Sequence, residues 1–382
     1  MKGNFPAEKF RKLQTPFYYY DTKLLQDTLN IIKTETKKYG YHEHYAIKAN
    51  ANPRILKIIA QNGLGADCVS GGEIRAALNA GFPASKIVFA GVGKADWEIQ
   101  LGLESQIACF NVESLAELEI INGIANEKGK TATVALRINP NIDAHTHAKI
   151  TTGMRENKFG INLEMLDGVI DEMMKMKNIR FSGIHFHIGS QITDLSVFRD
   201  LCIKVQGLQD ELEKKGLNVE NLNFGGGLGI DYHHYSAIPE FENFFKIFHQ
   251  FVKQCENRQI HFELGRSVVA QCGSLISKVL YVKKGTVKQF AILDAGFTEL
   301  IRPAMYDAWH HIENITSDGE CEIYDVVGPI CESSDVFGKD RKLNRIRRND
   351  LIALCSAGAY GEIMASQYNC RPLPKSYFSD EL

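Results

Sequence analysis

The 382-residue chain has no run of apolar residues long enough to cross a bilayer, so no membrane partner is expected. Its opening stretch, MKGNFPAEKF, lacks the apolar segment of a secretory signal, and none is expected. Nine cysteines are scattered, odd in number and never spaced as CxxC, which argues against a structural zinc site or a disulfide framework. No metal is expected, and the free thiols point to the reducing cytoplasm. A formal net charge of −2 without a basic stripe argues against nucleic acid as the main partner. Internal repeats and low-complexity linkers are missing. So is the G-x-G-x-x-G turn that a dinucleotide-binding doubly wound sheet places after an early strand. Its nearest early match, GVGKAD at 91–96, lacks the third glycine and comes after the third strand.

What is there is a rhythm. Short apolar strands at 44–48, 65–69, 86–90, 107–110, 132–138, 180–187, 221–224 and 259–263 alternate with amphipathic helices, among them 54–62, 72–80, 114–128, 163–177, 196–215 and 240–254. Eight such units are the count of a (β/α)8, TIM-like α/β barrel. After residue 270 the rhythm stops, and SLISKVLYVKK, KQFAILDAG, CEIYDVVGP and DLIALCSAG read as strands of an all-β domain. The early strand TPFYYYD precedes the barrel and is free to join that sheet. The expected division is a barrel over 24–270 and a β-domain built from 1–23 and 271–382.

Barrel active sites gather at the C-terminal ends of the strands. Reading those ends in turn gives Lys48 in HYAIKAN, Asp67, then His185 and His187 in HFHIGSQ. The seventh strand ends in the glycine run Gly225, Gly226, Gly227, and the eighth in Glu263 with Gly265 and Arg266 beyond. Each residue also has an ordinary reading. Lys48 snorkels at a strand mouth, the histidines satisfy a core, the glycines make a loop, and Glu263 pairs with Arg266. Together they supply an amine nucleophile, a flat ring, backbone donors for a phosphate and a carboxylate. Those are the parts a pyridoxal phosphate site needs. The β-domain adds Arg302 and Tyr306, Cys331 and Glu332, and Tyr360 between Gly358 and Gly361.

Seven motifs in order, YAIKAN, HIGSQI, GGGLGI, ELGRS, DAGFTELIRPAMYDAWH, GPICESSD and GAYGEIMASQYN, resemble the diaminopimelate decarboxylase family, of the alanine-racemase-like, fold-type III pyridoxal phosphate fold. The resemblance runs from about residue 15 to residue 374. It implies a barrel that binds pyridoxal 5′-phosphate plus a C-terminal β-domain, and conversion of meso-2,6-diaminopimelate to L-lysine and carbon dioxide, the last step of lysine biosynthesis. It implies roles as well. Lys48 would form the Schiff base with the cofactor, His187 would stack on its ring and Ser190 would support it. Gly226, Gly227, Gly265, Arg266 and Tyr360 would hold the phosphate, and Glu263 would face the ring nitrogen. Arg266, Arg302, Tyr306 and Tyr360 would contact the substrate and its far carboxylate, Glu332 its far ammonium, and Cys331 would return a proton. A homodimer with Cys331 and Glu332 acting in trans is implied by the same resemblance. One departure is Leu264 in ELGR, where the family usually has proline; leucine is expected to loosen that loop.

The rivals are a decarboxylase of the same fold acting on ornithine, arginine or carboxynorspermidine, and a non-catalytic pyridoxal phosphate carrier. A simple basic amino acid has no far carboxylate for Arg302 and Tyr306. A carrier would not need Cys331. A metal-dependent barrel hydrolase using His185 and His187 is a third rival. Asp67, His145 and His147 receive no role from the sequence.

Overall fold

The computed structural model describes residues 5–142, 158–253 and 258–382. His145 and His147 lie outside the described residues. The chain divides into two compact units: the described residues of Met1–Thr28, Ile230–Pro239 and Arg266–Leu382 form one, and those of Leu29–Gly229 and Glu240–Gly265 the other.

The second unit is a closed barrel of eight parallel strands: His42–Ala46, Gly65–Cys68, Ile87–Phe89, Cys109–Val112, Ala132–Asn139, Ile179–His185, Asn221–Asn223 and Gln259–Phe262. Each pairs with the next in chain order, and the last closes on the first through His261–His42 and Phe262–Glu43. The strands are buried on both faces, as parallel strands covered by helices must be. Local chemistry fixes where the helices begin. Asn52 accepts the amide of Arg54 ahead of Pro53, Ser70 that of Glu73, and Ser114 that of Glu117. These caps sit directly after the strands, so the chain turns into each helix within a few residues of the strand's C-terminal end. On the far side, Phe244, Phe245 and Phe248 of helix Phe241–Phe251 pack edge-on against Phe262 of the last strand, with ring centroids 5.6, 5.1 and 4.6 Å apart.

The other unit is a mixed sheet. Gly273–Lys284 lies between Leu351–Leu354 and Gln289–Leu293, antiparallel to both, and Cys321–Val327 with Val336–Asn344 extends it. The early strand Phe17–Tyr20 joins it, antiparallel to Gly273–Lys284 and parallel to Lys375–Phe378. Residues 230–239, which the sequence reading leaves within the barrel, group with this sheet. The reason is aromatic packing: Tyr232 meets His310, His233 meets Trp309, and Tyr235 meets His311. Among the described residues no helix is long and apolar enough to cross a membrane.

Candidate active site

The barrel carries one set of functional side chains at the C-terminal ends of its strands. Lys48 is not the last residue of a strand, as its apolar lead-in suggests. The strand stops at Ala46, and Ile47–Ala49 form a single 3-10 turn. The turn is pinned by the Tyr45 hydroxyl, which donates to the Asn50 carbonyl at 2.9 Å. Lys48 Nζ lies 3.4 Å from Asp67 Oδ2. Asp67 is buried, and that burial, with repulsion from Glu263, pushes its carboxyl up to about 6 against the opposing pull of Lys48.

Glu263 follows the last strand and is buried. Its partners are not Arg266. His185 Nε2 sits 2.8 Å from Oε2, while the amides of Asn223 and Asn111 donate to Oε1 at 2.6 and 3.2 Å. Burial alone would raise its pKa. The attraction and hydrogen bond of His185, then the charge of Lys48, outweigh burial and hold the carboxyl well below its ordinary value. The result is an anion kept charged inside the barrel.

His187 lies past the strand that ends at His185, and its Nδ1 accepts the Gly226 amide at 3.4 Å. Burial, then the charge of Lys48, push its imidazole well below its ordinary pKa, so it presents a neutral ring. The HIGSQI and GGGLGI segments are zipped together: Ile192 N–H donates to the Gly227 carbonyl and Gly229 N–H to the Ile192 carbonyl, both at 2.9 Å. Ser190 lies in the first of these segments. Asn223 Oδ1 accepts the Gly225 amide at 2.9 Å, so one side chain ties the glycine turn to Glu263. Glycine is required here. Gly227 has φ +116°, and a Cβ on Gly226 would stand 2.1 Å from the Glu263 carbonyl oxygen. A tight glycine turn following a strand suits an anion.

Leu264 departs from expectation. It does not loosen the loop: it is buried, its N–H donates to Glu43 Oε1 at 2.7 Å, and its carbonyl accepts the Ala46 amide at 3.1 Å. Gly265 packs close to the lysine turn, where a Cβ would meet those of Ala49 and Ala46 at 3.0 and 3.1 Å.

The GVGKAD segment is structural. Lys94 donates to the carbonyls of Gly91 and Asn111 and pairs with Glu117. Glu113 pairs with Arg137 at 2.7 Å and accepts the amides of Gly91 and Gly160 at 2.9 and 3.0 Å, clamping three loops.

The sheet unit carries a second set. Arg266 opens helix Arg266–Val269, donates to the Tyr232 hydroxyl at 2.7 Å and lies over the Tyr360 ring at 4.8 Å. Arg302, 5% exposed, lies over the other aromatic, Tyr232, also at 4.8 Å. His310 Nδ1 donates to the Cys355 carbonyl at 2.9 Å, which leaves Nε2 to accept from Arg302 Nη1 at 2.8 Å. Burial, then the charge of Arg302, lower the His310 pKa to about 3, so that tautomer stays neutral. Tyr306 ends the short helix Arg302–Tyr306 and is half-buried. Cys331 and Glu332 are exposed on a loop, and Glu332 Oε1 accepts the Tyr368 hydroxyl at 2.8 Å.

Sequence reading missed Asn111, Asn223, Tyr232 and His310. Asn111 and Asn223 carried a signal, polar residues inside apolar strands; Tyr232 and His310 carried none. Among the described residues, no group of three metal-ligating side chains occurs, and His185 spends its Nε2 on Glu263.

A barrel presenting a lysine beside a carboxylate, a neutral imidazole, a tight glycine turn and a second carboxylate held anionic fits pyridoxal phosphate by the chemistry of its donors. The class this defines is the pyridoxal-dependent decarboxylases, whose pyridoxal binding domain matches residues 26–270. The chain is 65% identical to a diaminopimelate decarboxylase from Bacteroides thetaiotaomicron, with all of both chains covered. It superposes on a Helicobacter pylori diaminopimelate decarboxylase complexed with L-lysine at a TM-score of 0.93 and 40% identity, covering 98% of this chain and 94% of that one. For the Methanocaldococcus jannaschii enzyme the TM-score is 0.91 at 39% identity, with 98% and 89% covered. The chain therefore belongs to the diaminopimelate decarboxylase family.

Proposed function

We propose that the protein converts meso-2,6-diaminopimelate to L-lysine and carbon dioxide with pyridoxal phosphate, the last step of lysine biosynthesis. The observation that carries the substrate assignment is the pair of buried guanidiniums, Arg266 and Arg302, held on Tyr232 and fixed by His310. Two neighbouring buried arginines suit an anion. A substrate with an amino-carboxylate at both ends offers one at its far end, whereas ornithine or arginine does not.

When bound, pyridoxal phosphate supplies a carbonyl for an amine and a ring that accepts the electron pair left as carbon dioxide departs. The chain's own residues do the rest. Lys48 supplies the amine that holds the cofactor, and Asp67 biases its charge. Glu263, kept anionic by His185, Asn111 and Asn223, stabilises a proton on the ring nitrogen. His187 offers a neutral flat face supported by Ser190. The amides of Gly226 and Gly227, with Gly265, Arg266 and Tyr360, bind the phosphate. Arg266, Arg302, Tyr306 and Tyr360 orient the substrate and its far carboxylate, and Glu332 takes the far ammonium. The Cys331 thiol returns a proton to the carbon that lost carbon dioxide.

The working form is a homodimer in which Cys331 and Glu332 serve the partner's site. Their exposure on a loop of this chain supports that reading. The cytoplasm, being reducing, would keep the Cys331 thiol free.

The deciding assay is lysine release from meso-diaminopimelate beside ornithine, arginine and carboxynorspermidine. Lysine from the first alone supports the two-ended substrate; turnover of another alone overturns it. Mixing inactive Lys48→Ala and Cys331→Ala proteins tests the dimer. Sites shared between subunits recover about a quarter of wild-type activity at equal mixing, and sites built within one chain recover none.

A further inference from the structure

Eight-stranded parallel barrels are ordinarily filled by layers of branched apolar side chains. The lower half of this one is hollow. A cavity of about 620 Å³ opens at the N-terminal ends of the strands, opposite Lys48, and reaches inward to Asn111 and Asn223. The side chains facing it inside the barrel are His44, Cys109, Ala135, Asn221 and His261, small or polar where bulk is the rule. Leu64, Val88 and Ile184 give it apolar walls. The volume is that of a pocket for a small molecule.

Its charge is one-sided. Lys33 and Lys37, from helix Thr22–Tyr39, and Lys86, before the third strand, line it. Lys33 donates to the Asn62 side chain and Lys86 to the Gly63 carbonyl, and all three lysines are exposed at the mouth. The lining carboxyl, Glu43, is buried, which pushes its pKa well up, and it accepts the Leu264 amide at 2.7 Å.

The floor is a hydrogen-bonded chain of polar side chains. His44 Nδ1 lies 3.1 Å from the Lys86 carbonyl, His44 Nε2 lies 3.0 Å from His261 Nδ1, and His261 Nε2 lies 3.0 Å from Asn221 Oδ1. One N–H on each ring, with the Asn221 amide turned to donate to His261 Nε2, satisfies all three contacts. Burial holds both rings neutral.

We infer that this cavity is a binding site for a small organic carboxylate, its head at Lys33, Lys37 and Lys86 and its apolar body against Leu64, Val88 and Ala135. The roof gives occupancy a route to the chemistry. Asn111 and Asn223 line the cavity and donate to Glu263 Oε1, so a ligand that engages their side chains alters the hydrogen bonds on that carboxylate. The site rests on barrel residues alone and stands whichever substrate the enzyme takes.

The test is calorimetric titration of the holoenzyme with benzoate, in the presence of saturating L-lysine to cover the active site. One saturable site per chain is expected, with benzamide, the neutral isostere, at least about tenfold weaker. The Lys37→Gln/Lys86→Gln protein should lose about tenfold or more in benzoate affinity while turning over normally. Ala135→Leu should fill the cavity and abolish binding; if it fails to fold, the lysine variant decides. No saturable heat, displacement by L-lysine, or equal affinity in the lysine variant overturns the site. The cofactor's visible band should shift along the same binding curve, and an unmoved band overturns the link to Glu263.

Discussion

Replacing His310 by alanine tests how the sheet unit holds its arginine. His310 is buried, neutral and bonded at both nitrogens, to Cys355 and Arg302. Alanine removes the acceptor of a guanidinium that is itself 5% exposed. A hydrogen bond to a charged group is worth about 1.5–3 kcal/mol, and a buried donor left unmade costs a similar amount. At about 1.4 kcal/mol per tenfold, kcat/KM for meso-diaminopimelate should fall by about 10- to 150-fold. Most of the loss should lie in KM if Arg302 binds the far end of the substrate, as proposed. Glutamine carries a donor and an acceptor on one planar group, as neutral imidazole does, and His310→Gln should restore much of the loss. Since burial, with Arg302, lowers the His310 pKa to about 3, the glutamine variant should keep the wild-type pH profile near neutrality. The assay is steady-state lysine release, with thermal unfolding as the check that both variants fold. A folded His310→Ala protein within about twofold of wild type in kcat/KM would refute the reasoning.

Other perturbations probe the barrel. Asp67 has its carboxyl pushed up to about 6 by burial, so it binds its proton more readily folded than unfolded, and its cost to stability grows as pH rises from about 4 to about 6. Compared with wild type, Asp67→Asn should thus gain up to about 3 kcal/mol on going from pH 4 to pH 7 in urea unfolding, and lose any acid limb near pH 6 in kcat/KM; an unchanged limb would clear Asp67 of that role. Gly226→Ala sets a Cβ 2.1 Å from the Glu263 carbonyl and should cost more than the usual ~1–3 kcal/mol of overpacking, with weaker uptake of pyridoxal phosphate followed by absorbance. Arg137→Ala strands the buried Glu113, and a loss of about 3–5 kcal/mol is expected in denaturant unfolding; a loss under 1 would mean the clamp of three loops is idle. Cys331→Ala should abolish lysine release while the cofactor's absorbance persists, and retained turnover would remove the thiol from the reaction.

The barrel was legible because its signals are local. Apolar strands, caps such as Ser70 and Ser114, and the glycine run lie in continuous stretches, and eight repeats of one pattern leave few folds open. Lys48 and Glu263 were readable for the same reason, standing beside the ends of those stretches. The companions of these residues were not. Asn111 and Asn223 are far apart in sequence and converge on Glu263 only after closure of the barrel. Tyr232 sits in a segment that reads as barrel and packs on the sheet. His310 looked like one of two adjacent histidines, and nothing local says that it, and not His311, would accept from Arg302. The 3-10 turn at Lys48 was hidden too, since an apolar lead-in does not reveal where pairing stops.

The Leu264–Glu43 bond bears on how this sequence can change. Proline at 264 would bring the chain toward its family's usual wording, yet it has no N–H to give, and the Glu43 carboxyl would lose its donor within the barrel wall. Exchanging Glu43 first is no gentler, because the Leu264 amide is then the group left bare. Either residue alone therefore passes through a weaker protein, and the two positions are expected to drift as a pair or not at all. Stabilisation by reverting to the family's commonest residue, a dependable strategy at isolated sites, should fail at position 264 unless position 43 is rewritten with it.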